Sequence, residues 1–161
     1  MKITESFSYT GADVESVYAL ISDQEFRTES CANQGATDYD VKVEADGDGA
    51  TVTLLRTQEA EMPDFVKKLT GSTVKVKQTE VWGAPDADGN RTADVKVSII
   101  GQPAEMVGKA TLKGSSGGTE FTLNGNVKVS IPFIGKKIEP EVAKAIIASL
   151  REEVSYGMEK L

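Results

Sequence analysis

The chain reads as an α+β protein in which a curved sheet of seven antiparallel strands wraps around one long C-terminal helix, with two short helices between the first and second strands. Three observations predict this. The hydrophobic period changes once near the end: residues 127–131 alternate, Pro132 stops the strand, and from about Lys136 to near Glu159 apolar residues recur at helical spacing. A helix of that length spans roughly 36 Å and needs a large surface to lie on. Most of residues 37–131 alternates apolar and polar side chains in runs separated by Gly- and Asp-rich turns, the pattern of hairpins with one buried face. Between the first strand and that region, two aspartates each stand where a helix begins.

The first strand is KITESFSY, residues 2–9, with Ile3, Phe7 and Tyr9 on one side and Glu5 sharing it. Asp13 then caps VESVYALI, where Val14, Val17, Tyr18 and Ile21 keep the i, i+3, i+4, i+7 spacing. Asp23 caps again, so QEFRTESCAN forms a second short helix at an angle to the first, ending before Gly35.

Residues 37–45 place Tyr39, Val41 and Val43 on one face and charged residues on the other, and DGDG at 46–49 turns the chain into a return strand at 50–57. Arg56 shares the face of Val52 and Leu54. It reads either as a strand-end arginine whose head reaches solvent or as a cationic group at a cavity rim. MPDFVKKLT at 62–70 breaks the alternation and suggests one or two helical turns, either a lid or a plain crossover. In the strand at 72–82, the parity of Val74 and Val76 would bury Gln78, Glu80 and Trp82. An unpaired buried carboxylate is costly, so a bulge that turns Glu80 to solvent is expected. Trp82 reads as a core anchor whose indole N–H needs an acceptor.

The turn at 84–90 contains DADG, which resembles the opening of a calcium loop. Counted from Asp86, however, the sixth position is Arg91 and the twelfth Val97, where that loop needs Gly and Glu. Strands then follow at 91–101, with Ala93, Val95, Val97 and Ile99 inward, and at 106–113, with Met106, Gly108, Ala110 and Leu112 on one face. After the GSSGG turn, residues 119–131 close the sheet with Phe121, Leu123, Val127, Val129 and Ile131 inward. On the final helix, Val142, Ala143, Ile146, Ile147, Leu150, Val154, Met158 and Leu161 spread over an apolar arc of about 160°. Glu153 lies within that arc and reads either as a helix-end charge where a cavity opens to water or as a polar group serving a ligand. Pro140 falls in the first turn, where its missing N–H matters little.

Composition narrows the functions. The 161 residues form one expected domain, 1–161, and the net charge of −7 argues against a nucleic-acid partner. No run approaches the roughly 18 apolar residues of a membrane span, and the start lacks the features of a signal peptide, so a cytoplasmic location is expected. With no histidine, neither a Ser-His-Asp triad nor the usual zinc ligand sets can be assembled. No metal and no cofactor are expected. The single Cys31 reads as a small buried apolar residue.

A strand, a two-helix elbow in DVESVYALISDQEF, six further strands and a long helix introduced by VSIPFIGKKIE together resemble the START-like (SRPBCC, helix-grip) superfamily, and within it an uncharacterised bacterial family. The resemblance covers essentially the whole chain. It implies a sheet gripping the helix with an apolar pocket between them, and members that bind lipids, sterols, polyketides or other apolar ligands. No shared catalytic residues come with it. The expected function is binding or carriage of a small apolar molecule, with the ligand-binding face formed by Val41, Val43, Val52, Leu54, Arg56, Val95, Val97, Ala110, Leu112, Phe121, Leu123, Ile146 and Leu150. The alternatives are a polyketide cyclase-, aromatase- or hydrolase-like enzyme whose acid or base is Glu80, Glu5, Glu153 or a tyrosine, and a protein-interaction module that uses the groove mouth.

Overall fold

A computed structural model describes residues 1–161. The chain runs β1 (Lys2–Thr10), α1 (Val14–Ile21), α2 (Gln24–Asn33), β2 (Asp38–Asp46), β3 (Gly49–Glu59), α3 (Asp64–Thr70), β4 (Thr73–Trp82), β5 (Arg91–Ile99), β6 (Ala104–Ser115), β7 (Gly118–Val129) and α4 (Gly135–Lys160). The seven strands form one antiparallel sheet in the order β1-β7-β6-β5-β4-β3-β2. From β2 to β7 the sheet is therefore a simple meander, and β1 returns to pair with β7. The long helix α4 packs on β7 and β1, while α2 packs on β2.

Local chemistry sets the elbow. The side chain of Asp13 accepts from Ser16 N at 2.8 Å and that of Asp23 from Phe26 N at 3.0 Å, so each helix begins where an aspartate satisfies a free amide. The side chain of Arg91, buried on β5, fastens α1 to the sheet. Its Nη1 donates to the carbonyls of Asp48 and Gly83, its Nε donates to Glu15, and its guanidinium lies 3.6 Å from the centre of the Tyr18 ring. In the middle of the sheet, Gly108 of β6 stands opposite Gly125 of β7, and no side chain separates the two backbones there.

Burial follows the alternation along most strands. In β6, Met106, Ala110 and Leu112 are buried, as are Phe121, Leu123, Val127 and Val129 in β7. Two local expectations are corrected. No bulge interrupts β4, whose register with β3 runs unbroken from Ala50↔Trp82 to Glu59↔Thr73; parity is kept and Glu80 is buried. The last helix starts earlier than its periodicity suggested. Gly135 opens α4 after Phe133, a non-glycine residue at φ 70, and this places Pro140 beyond the first turn. There its missing N–H leaves the carbonyl of Lys136 without the usual donor, at a residue exposed to solvent. The start of α4 is tied back to the sheet by Glu139, whose Oε2 accepts from Val129 N at 3.1 Å.

Candidate functional site

A cavity lies between the sheet and α4, lined by residues of β3 to β7, α4 and the elbow helices. It measures about 1020 Å³ with the solvent at its opening included, and 16 of its 25 lining residues are hydrophobic. Eight residues of the expected ligand face line it: Arg56, Val95, Val97, Ala110, Phe121, Leu123, Ile146 and Leu150. Five do not. Val41, Val52, Leu54 and Leu112 are buried in the core and Val43 packs against it. Parity places all five on the inward face, but α2 covers β2 and α1 approaches β6, so part of that face is filled by the elbow. The expectation that these five line the pocket is corrected accordingly. The α3 segment touches the cavity only through the preceding Met62, while Val66 and Leu69 line a smaller neighbouring space.

One end of the cavity is polar, and strand and helix periods bring it together from distant segments. Arg27 of α2 is 1% exposed. Its Nη1 and Nη2 donate to Oε1 and Oε2 of Glu80 at 3.0 and 2.6 Å, and its Nε lies 3.0 Å from Oε1 of Glu153. Glu80 also accepts from Trp82 Nε1 at 3.0 Å and Gln78 Nε2 at 2.6 Å, which supplies the acceptor the indole needs. Glu153, for which a charge in water was one reading, is mostly buried beside Arg27 and lines the cavity. Arg56, for which a solvent-facing head was one reading, is 6% exposed; its Nη2 donates to Ser149 Oγ at 2.9 Å, and Ser149 donates in turn to Gln34.

The two carboxylates differ in proton affinity because their partners differ. Burial pushes Glu80 up, but the charge of Arg27 and hydrogen bonds from Arg27, Trp82 and Gln78 outweigh it and hold the carboxyl below its ordinary range. Glu153 has fewer donors. Burial raises it and Arg27 lowers it, the negative charge of Glu80 raises it again, and its proton is held more tightly than in a free glutamate. Arg27 stays charged: burial disfavours the cation, but Glu153 and Glu80 favour it more.

Sequence pattern missed Arg27, Gln34 and Ser149 as members of this cluster. Gln78 was placed inward by strand parity and Glu153 was a candidate acid or base on the apolar arc of α4. Gln34, at the end of α2, carried no such signal.

Seven antiparallel strands gripping a long C-terminal helix, with a helical elbow after β1 and a cavity beneath the helix, define a helix-grip fold. The chain belongs to the family described as protein of unknown function (DUF2505), whose model matches residues 4–160. An uncharacterised protein of Mycobacterium bovis is 36% identical over 96 residues, which are 58% of this chain and 55% of that protein. The chain thus spans about half the length of the curated relatives it matches. Among solved structures, the STAR-related lipid transfer protein of Xanthomonas axonopodis superposes with a TM-score of 0.62 at 13% identity, covering 96% of this chain and 84% of that one. Norcoclaurine synthase of Thalictrum flavum, in complex with dopamine and hydroxybenzaldehyde, gives 0.56 at 10% identity, covering 99% and 87%. At these identities the likeness is one of fold. No helix of the chain is long and apolar enough to cross a membrane.

Proposed function

We propose that the protein binds or carries a small apolar molecule in the cavity between the sheet and α4, in the cytoplasm. The observation that carries this reading is the predominantly hydrophobic lining of the cavity, with polar groups gathered at one end. Supporting it by analogy of fold, one structural neighbour is named for lipid transfer and another holds two aromatic compounds. A catalytic reading rests on one specific feature, the carboxyl of Glu153 on the cavity wall, whose proton affinity burial raises, as a general acid requires.

Leu150→Trp tests the carrier reading, because Leu150 is half-buried and lines the cavity. In an open pocket the indole fills empty space: the melting temperature holds or rises, and an apolar molecule seen by native mass spectrometry of gently purified wild type is missing from the variant. A loss of roughly 1–3 kcal/mol, as overpacking of a filled core produces, with no ligand in either sample, overturns the reading in favour of an interaction module.

A further inference from the structure

We infer that the polar end of the cavity is a subsite for a monoanionic carboxylate, so that the molecule carried is an apolar carboxylic acid with Arg56 as its counter-ion. This rests on the carrier reading and narrows it. The two guanidiniums at this end are treated differently by the fold. Arg27 has a bidentate partner in Glu80 and a second carboxylate at its Nε. Arg56 also lines the cavity but makes no ion pair; its Nη2 donates to Ser149, the Cys31 thiol lies close enough to feel its charge, and its buried Nε, like that of Arg27, has no hydrogen-bond partner. A guanidinium stays charged and carries several N–H donors in one plane, so a cation without an ion pair at the edge of an apolar space suits a planar anion.

The surroundings select the charge of that anion. Glu153 is faced by Arg27 and Ser30 of α2, Glu80 of β4 and Arg56 of β3. Tyr9 of β1 senses the same cluster. With Glu80 matched to Arg27, one cation remains for Glu153 and an incoming ligand to share. A dianion such as a phosphate monoester would bring two negative charges to the one guanidinium left unmatched, with the Glu153 carboxyl beside it. A carboxylate balances Arg56 alone, provided Glu153 holds its proton. An anion bound there disfavours the ionised form of Glu153 further, so binding takes up a proton and affinity falls as pH rises past the ordinary carboxylate range.

The test is calorimetric titration with decanoate and, as the uncharged probe of the same chain, 1-decanol, each at about pH 6.5 and about pH 8.5. In wild type decanoate binds about tenfold or more tighter than decanol at the lower pH, the scale of one charge-assisted contact. Arg56→Met abolishes that preference while decanol still binds, and Arg56→Lys keeps part of it. Any change of the preference with pH is a fall as pH rises, and Glu153→Gln removes that change; a preference that grows with pH refutes the linkage to Glu153. If decanoate and decanol bind wild type equally, or Arg56→Met retains the preference, the carboxylate subsite is refuted and the carrier reading stands. Binding of neither probe sinks both. Should Arg56→Met fail to fold, the wild-type probe comparison and the Arg56→Lys variant decide.

Discussion

Removing Arg27 should be among the most damaging single substitutions in this chain. Arg27→Met keeps much of the side chain's apolar volume but deletes a guanidinium that is 1% exposed and serves Glu80 through two contacts, Glu153 through a third, and the Ile21 carbonyl at 3.1 Å. Two buried carboxylates are left behind. Glu80 retains Trp82 and Gln78 as donors, but no cation replaces the one lost. Breaking a buried pair by deleting one partner costs roughly 3–5 kcal/mol, which in a protein of this size lowers the melting temperature by about 6–20 °C.

The pH dependence gives the sharper check. In wild type the folded pKa of Glu80 lies below its unfolded value, so its contribution is present above the unfolded pKa and lost as pH falls through the folded one. Without Arg27, burial dominates: the folded pKa of Glu80 rises above the unfolded value of about 4.3 and that of Glu153, already raised in wild type, rises further, so the penalty grows as pH rises and is relieved in acid. Urea unfolding of wild type and variant at about pH 5 and about pH 8 should give the larger difference at the higher pH. A difference under about 1 kcal/mol, or one equal at both values, would refute the account of this cluster as a charge-compensated buried network.

Two further outcomes are expected elsewhere in the fold. A methyl group at Gly108 would meet the backbone of Asn124 and Gly125, whereas one at Gly125 meets first the Sδ of Met106 at 2.6 Å. Gly108→Ala should therefore destabilise by roughly 1–3 kcal/mol and Gly125→Ala by less, since a thioether can swing aside and a strand cannot; urea melts giving the reverse order would contradict the geometry. Cys31 is 1% exposed and burial pushes its thiol up, so an aromatic disulfide reagent at about pH 8 should label it only once the chain is unfolded. Rapid labelling of the native protein would show that this site opens.

Most of the architecture was legible because it rests on short-range periods. The alternation of Val95, Val97 and Ile99, or of Phe121 and Leu123, needs only neighbours two residues away, and the sheet keeps it. Glu80 was misread for the opposite reason. Its burial is allowed only by Arg27, 53 residues earlier on a helix with weak apolar periodicity, and no local pattern announces such a pairing. The same limit explains Val41, Val43, Val52, Leu54 and Leu112. Parity tells which face of a strand is inward but not whether a helix or an empty space lies above it, and at that end of the sheet the elbow occupies the position. Gln34 and Ser149 join the site through a chain of hydrogen bonds between α2, α4 and β3 that exists only in three dimensions.

The pairing of β1 with β7 has a kinetic consequence. Every other neighbouring pair of strands is consecutive in the chain, so β2 to β7 can assemble hairpin by hairpin as they leave the ribosome, each step closing a short loop. β1 has no partner in the sheet other than β7: Ser6 meets Thr122 across 116 intervening steps of chain. Until β7 is made, the first strand stays an unpaired ribbon, and the far edge of the meander waits for it. Since α4 rests on both β1 and β7, its docking is coupled to that closure. Amide protection in β1 should therefore arise together with protection in the last helix, after the central strands, and the cavity comes into being only at that final step.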